Sequence, residues 1–178
     1  MPDCRVDVVL VVDESTSVGL SNFTVLKTFL QQFVGGLDVD SGNTQVGLFK
    51  FSSAVNTGGA FNLNDYSSVA AVQSAINALA YDGGRTNLAA ALAYARTDML
   101  TAAAGDRPDV PNVVIVLTDG KSNVNPFQVP VSTVWMLNDD KTSLFQKLSR
   151  TCVVSDGCML YRNLDIIIKQ CVQCVPKK

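Results

Sequence analysis

Oxygen-bearing side chains stand in three short stretches of the sequence at spacings that could bind a metal ion. Asp13, Ser15 and Ser17 alternate along the first stretch, so their side chains can converge on one point of an extended loop. Thr86 follows a Gly-Gly-Arg sequence, and Asp119 follows an apolar run. Carboxylate and hydroxyl oxygens are the ligands that hard cations such as Mg²⁺ prefer. The three stretches therefore predict a site for a small divalent cation.

The chain of 178 residues contains no histidine, which limits the other chemistry that it could carry. Ser-His-Asp and Cys-His nucleophiles both need imidazole, and so do many zinc sites. The formal net charge is -2, and the only basic cluster is Lys177-Lys178, so we expect no binding of nucleic acid. No apolar run approaches the ~20 residues of a membrane-spanning helix, and we expect no membrane span.

Two apolar runs place the candidate ligands at strand ends. Residues 6–12 and 113–118 consist mostly of Val, Ile and Leu, which is typical of strands buried on both faces of a parallel sheet. An aspartate follows each run. Because ligands bind at the carboxyl ends of the strands in open α/β sheets, we expect Asp13 and Asp119 to lie around one site.

Helical patterns occupy much of the sequence between these runs. Apolar residues recur at helical spacing over residues 23–37, 69–79 and 88–99. Ser21 is the predicted N-cap of the first helix, and Gly35-Gly36 is its predicted end. The pattern predicts alternating helices and strands.

Residues 45–62 predict a hairpin at the sheet edge, with its turn at Thr57-Gly58-Gly59. With 47% apolar and 17% charged residues, the chain predicts one packed domain, which we place at residues 3–152. Residues 153–178 are predicted to form a cysteine-containing, helical C-terminal tail.

As a set, the three stretches resemble the von Willebrand factor type A domain family. The resemblance rests on DxSxS at 13–17, GGRT at 83–86 and LTDG at 117–120, and it covers residues 3–152. The sequence around the first motif is most similar to extracellular matrix members of the matrilin and collagen kind. The resemblance implies a three-layer, doubly wound α/β fold with a mostly parallel sheet flanked by helices.

The resemblance also implies a metal-ion-dependent adhesion site. Asp13, Ser15 and Ser17 would form its first motif, Thr86 its second and Asp119 its third. Mg²⁺, or Mn²⁺ in its place, would keep an open position, because these side chains do not fill an octahedral shell unaided. A carboxylate of a partner protein, such as collagen or another matrix glycoprotein, suits that position.

Other interpretations of the same residues stay open. Glu14 and Arg85 could select a partner as charges on the rim of the site, or they could be solvated surface residues. Asp13 and Asp119 could cap turns instead of binding a metal.

The implied function is non-enzymatic adhesion, and it has two alternatives. The first is a metal-dependent, phosphatase-like enzyme with Asp13 as its nucleophile. That chemistry needs a second acid where Ser15 stands, and the chain has no GxxxxGK[ST] phosphate loop. The second alternative is an intracellular scaffold of the type A kind.

After Gly120 the sequence departs from the family pattern. One helix-strand-helix block is missing, and residues 131–135 resemble the last strand of the family. We expect this gap to uncover apolar surface beside the strand that precedes Asp119 and to favour association with other chains.

The cysteines bear on the compartment. The resemblance implies that Cys4 and Cys152 pair and join the two ends of the domain. Five cysteines leave one free or bonded to another chain, and Cys158, Cys171 and Cys174 remain unassigned. Disulfides indicate an oxidising compartment, so we expect a secreted matrix protein. The chain begins without a signal-peptide pattern, as a mature form or a fragment of such a protein would.

Overall fold

The computed structural model describes residues 5–118 and 134–137, which form a five-stranded sheet with helices packed against it. The strands are β1 (Val6–Asp13), β2 (Thr44–Phe51), β3 (Val55–Phe61), β4 (Asn112–Leu117) and β5 (Val134–Leu137). Their order is β3-β2-β1-β4-β5. Only the β2–β3 pair is antiparallel among these strands. The predicted doubly wound α/β fold is confirmed.

The helices lie where the apolar spacing predicts them. They are α1 (Gly19–Gly35), α2 (Val69–Asn77) and α3 (Leu88–Tyr94). The last continues as a π-helical turn over Ala95–Met99, and a short 3₁₀ turn covers Ala102–Ala104. Within the described residues, no helix is both long and apolar enough to cross a membrane.

All of β1 is buried, because helices cover both faces of the sheet around it. Val8, Leu10 and Val12 pack in the core that contains α1 and α2. Val9 and Val11 pack in the core that contains α3. A strand with two apolar faces has no polar alternation, which is why its sequence is a continuous apolar run.

Two local predictions are wrong. The N-cap of α1 is Val18 and not Ser21, because the Ser15 carbonyl accepts hydrogen bonds from the amides of Val18 (3.1 Å) and Gly19 (3.3 Å) and starts the helix early. The hairpin turn lies at residues 52–54, since Phe51 pairs with Val55.

The Thr57-Gly58-Gly59 stretch, where we predicted the turn, belongs to β3. The pairing register shifts between Leu48 and Lys50, so this part of β3 bulges away from β2. Gly59 adopts a φ of 78° there, a left-handed conformation that glycine adopts without strain.

The sheet edge beside β4 also differs from our expectation. We expected a bare flank there, but β5 pairs in parallel with β4, with Val114 opposite Val134. In the sequence, 16 residues separate the end of β4 at Leu117 from the start of β5 at Val134, more than the dozen or so that a parallel crossover needs. The edge of β4 is therefore paired, and the expected bare edge is absent.

Several predictions fall outside the described residues. These concern Asp119, the Cys4–Cys152 disulfide, the domain boundary at residue 152 and the tail at 153–178. They remain predictions.

Candidate metal centre

Asp13 is the last residue of β1, and its buried carboxylate is held by hydrogen bonds on both oxygens. Oδ1 accepts from the Ser15 amide at 2.8 Å, and Oδ2 accepts from the Thr118 hydroxyl at 2.6 Å. Thr118 directly follows β4, so this second bond joins the carboxyl ends of β1 and β4. The expected meeting of strand ends takes place at Asp13, and the carboxylate has a fixed orientation there.

Ser15 and Ser17 bring two hydroxyl oxygens to the same edge of the sheet. Their Oγ atoms are 3.0 Å apart, within hydrogen-bonding distance. Ser15 is buried, whereas Ser17 is exposed to solvent. Adjacent oxygens of an octahedral Mg²⁺ shell, with bonds of about 2.1 Å, are about 3.0 Å apart. The spacing of the two hydroxyls therefore fits one edge of such a shell.

Residues 80–87, which we call the second loop, lie against the loop that carries the two serines. The Thr16 amide donates to the Gly84 carbonyl at 2.8 Å, and the Gly84 amide donates back to Thr16 Oγ1 at 3.0 Å. Thr86 is buried two residues further along. The second candidate motif thus lies at the same end of the sheet as the first.

The second loop also bonds to the turn between β2 and β3. The Arg85 amide donates to Ser53 Oγ at 2.9 Å, and the Asn87 amide donates to the Ser52 carbonyl at 2.7 Å. Both bonds flank Thr86 directly. Gly84 has a φ of 116°, and a Cβ at this residue would lie 2.9 Å from Ser52 Oγ. The loop can therefore pass this close to the turn only with glycine at position 84.

The donor set fits a hard divalent cation. It consists of one fixed carboxylate, two hydroxyls at octahedral spacing and a loop that carries a third hydroxyl. In the described part of the chain, no three His, Cys, Asp or Glu side chains cluster to hold a metal ion, so hydroxyl oxygens would supply part of the shell. Asp119, the predicted third motif, follows Thr118 and lies outside the described residues.

Glu14 is not a charge on the rim of the site, and this prediction is wrong. Its side chain is fully buried and forms an ion pair of 2.6 Å with Lys50, which is itself 1% exposed. Sequence reasoning missed Lys50, although a lysine within the apolar strand sequence VGLFKF is a signal for a buried charge with a partner. Arg85 is exposed, as a rim residue must be.

Asp82, in the second loop, is exposed and has a lowered pKa. The side chain of Asn56 donates a hydrogen bond to it at 2.7 Å, and this bond is the main cause of the low pKa. The positive charge of Lys50, 3.4 Å away, lowers the pKa of Asp82 further.

A family comparison identifies the fold and its motifs. The model of the von Willebrand factor type A domain matches residues 7–145. The chain belongs to the von Willebrand factor type A domain family. This confirms the resemblance drawn from the three motifs, and the match begins in β1 and extends beyond β5.

Relatives of this type A domain include collagen, matrilin and integrin chains. The collagen alpha-4(VI) chain of Mus musculus is 43% identical over 119 residues, which are 66% of this chain and 5% of that one. Matrilin-4 of Homo sapiens is 42% identical over 125 residues, or 67% and 20% of the two chains. Integrin alpha-2 of Bos taurus is 38% identical over 119 residues, or 66% and 10%. The type A domain thus spans only a small part of these relatives.

Solved structures show the same fold. Proximal thread matrix protein 1 from the mussel byssus superimposes with a TM-score of 0.66 at 24% identity, over 75% of this chain and 38% of that one. A further structure of that protein, which superimposes with a TM-score of 0.65, has a zinc-occupied metal-ion-dependent adhesion site (MIDAS) motif. At this identity, the likeness concerns the fold alone.

Proposed function

We propose that this type A domain is a non-enzymatic adhesion module that binds a carboxylate of an extracellular matrix partner through a divalent metal ion. Mg²⁺, or Mn²⁺ in its place, would be held by Asp13, Ser15, Ser17, Thr86 and Asp119. The observation that carries the proposal is the Ser15–Ser17 hydroxyl pair, which lies at octahedral spacing beside a fixed carboxylate.

The residues of the site have different tasks in this proposal. A bound Mg²⁺ supplies an open coordination position of high positive charge for a partner oxygen. Asp13 offsets part of that charge and is kept in place by the Ser15 amide and the Thr118 hydroxyl. Ser17 is exposed, so the metal would lie where a partner can reach it. Arg85, exposed beside Thr86, would attract an acidic partner as a rim charge.

The relatives support a matrix partner and a matrix location. Their names are those of collagen, matrilin and integrin chains, and the zinc-occupied motif of the mussel protein supports a divalent ion at this site. We propose collagen or a similar matrix glycoprotein as the partner and a secreted, matrix-associated location. The Cys4–Cys152 disulfide belongs to the same proposal, because it requires an oxidising compartment.

The phosphatase-like alternative is less well supported. A nucleophilic Asp13 of this kind needs a second acid two residues along the chain, and Ser15 stands there. The Ser15 amide donates to Asp13 Oδ1, but the Ser15 side chain offers only a hydroxyl, which is not the acid that this chemistry needs.

Binding of the full chain to an immobilised triple-helical collagen-like peptide with a central Glu tests the proposal. We expect binding in Mg²⁺ that is lost in EDTA and on a matched peptide with Gln in place of Glu. Ser17→Ala should weaken binding, whereas Ser74→Ala, at an exposed position of α2, should not. Binding that persists in EDTA would contradict the proposed role of the metal.

A further inference from the structure

A buried ion pair lies directly beside the candidate metal ligands and takes no part in the site itself. Glu14 follows Asp13 in the sequence, and its partner Lys50 lies on β2, where it is opposite Val12 in the sheet. Both side chains are almost completely inaccessible to solvent, at 0% and 1% exposure.

Lys50 links the first metal loop to the second loop. Its ammonium group donates to Glu14 Oε2 at 2.6 Å and to the Ala80 carbonyl at 2.6 Å, and it lies 3.4 Å from Asp82 Oδ2. An ammonium group has three N–H donors, so these three acceptors satisfy it completely. Two of the three acceptors belong to the second loop.

Glu14 and Asn56 complete the same network. The Asp82 amide donates to Glu14 Oε2 at 3.3 Å. The Asn56 side chain donates both to Glu14 Oε1 and to Asp82 Oδ2. We call these four residues, Glu14, Lys50, Asn56 and Asp82, the buried network after its buried Glu14–Lys50 pair, although Asp82 is exposed. The buried network joins the first metal loop, two strands and the beginning of the second loop.

The second loop depends on such contacts for its position. Residues 80–87 contain neither a helix nor a strand, and Gly83 and Gly84 both have positive φ values of 74° and 116°. Ala80 and Asp82, held by the buried network, stand at the beginning of the loop, and Thr86 stands near its end. A shift of the first residues of the second loop would therefore displace the hydroxyl of Thr86 relative to Ser15 and Ser17.

We propose that the buried network is a positioning device for the metal site: Glu14 and Lys50 set the metal affinity by holding the second loop, without touching the metal. This inference rests on the proposed function. Buried ion pairs are often replaceable by apolar residues without loss of stability, because desolvation offsets their attraction. A geometric role accounts for the presence of this pair better than a stabilising role does.

The experiment compares two pairs of substitutions in the full chain. Glu14→Gln with Lys50→Met removes both charges of the buried pair and leaves no buried charge unpaired, since the remaining acid, Asp82, is exposed. Asp7→Asn with Arg107→Met does the same to a second ion pair, whose acid is equally buried, at the opposite end of β1. That pair lies about 20 Å from Asp13, at about 3.3 Å per residue.

Two quantities are measured for each double variant and for the unmodified chain. Titration calorimetry with Mg²⁺ and with Mn²⁺ gives the metal affinity of the folded protein. Hydrogen exchange without metal gives the protection of the second-loop amides at Asp82, Gly84 and Asn87. Asp82→Asn alone repeats both measurements if the first double variant does not fold, because Asp82 is exposed and its substitution leaves the Glu14–Lys50 pair intact.

We expect the Glu14/Lys50 variant to bind metal about 10- to 100-fold more weakly, as is usual when support for metal ligands is lost, and to lose protection in the second loop. The Asp7/Arg107 variant should keep both properties. Unchanged loop protection, unchanged metal affinity or equal effects of the two variants would overturn the inference. If the unmodified chain binds no metal, the proposed function fails by itself, and loop exchange alone then decides whether the network holds the loop.

Discussion

The two ends of β1 each carry a buried aspartate, yet they are built differently. At the amino end, Arg107 donates to both oxygens of Asp7, from Nε at 2.8 Å and from its amide at 2.9 Å. The same guanidinium also donates to the carbonyls of Val6, Gly42 and Asn43. At the carboxyl end, Asp13 accepts hydrogen bonds from the Ser15 amide at 2.8 Å and the Thr118 hydroxyl at 2.6 Å.

The difference shows how the surroundings of a buried acid decide its use. The charge of Asp7 is offset by Arg107, so this end of the sheet needs no ion from solvent. In our proposal, Asp13 instead helps to hold an ion from solvent, together with the hydroxyls of Ser15 and Ser17. Glu14 resembles Asp7 and not its neighbour Asp13, because a buried lysine pairs with it. The same residue type thus serves structure at one end and, in our proposal, binding at the other.

The largest effect on stability should follow from removing the cation at the amino end of β1. Arg107→Met leaves the carboxylate of Asp7 buried without its cation, and we expect a loss of about 3 kcal/mol in the free energy of unfolding. This value is at the low end for buried pairs, since 21% of the Arg107 side chain is exposed. Denaturant unfolding measures it.

The control for this prediction is the double variant Asp7→Asn with Arg107→Met. It removes the buried charge together with its partner, so it should cost less stability than Arg107→Met alone. An equal loss in the two variants would mean that packing, and not the unpaired charge, causes the destabilisation.

A smaller effect concerns two exposed aspartates with lowered pKa values. Asn56 is the main cause at Asp82, and Asn43 is the main cause at Asp38. Because the folded pKa lies below the ordinary 3.8, each group stabilises the fold above that pH and loses this contribution as the pH falls through the folded pKa.

Asp82→Asn and Asp38→Asn should each lower stability at neutral pH, and the difference from the unmodified chain should close in acid. Unfolding curves between neutral pH and the acid range measure this. Only Asp82→Asn should also weaken Mg²⁺ binding, because only Asp82 belongs to the buried network. A constant difference at all pH values would refute the assigned pKa directions.

Much of the fold was predictable because continuous apolar runs and helical spacing survive in the sequence. The runs at 6–12 and 113–118 became β1 and β4 with almost the same bounds. The α1 start and the hairpin turn were missed, because hydrogen bonds of the Ser15 carbonyl and the pairing of Phe51 with Val55 decide them.

At the candidate site, too, the sequence predicts local features but not those that depend on tertiary contacts. The motif residues Asp13, Ser15 and Ser17 could be found from their spacing alone. The role of Glu14 could not, because it depends on Lys50, which is distant in sequence and becomes a neighbour only when β1 and β2 pair. Local patterns therefore predicted the candidate ligands, and tertiary contacts determined which neighbouring charged side chain is buried.

The most direct test of the account is calorimetric titration of Mg²⁺ into the unmodified chain, Asp13→Ala and Asp109→Ala. The two substitutions remove the same charge, but Asp13 is buried at the end of β1, whereas Asp109 is exposed at the surface. We predict saturable binding to the unmodified chain and to Asp109→Ala, and binding to Asp13→Ala that is abolished or weakened more than about 100-fold, the upper range for supporting groups of a metal site. Equal Mg²⁺ affinity in all three proteins would contradict the assignment of the metal site.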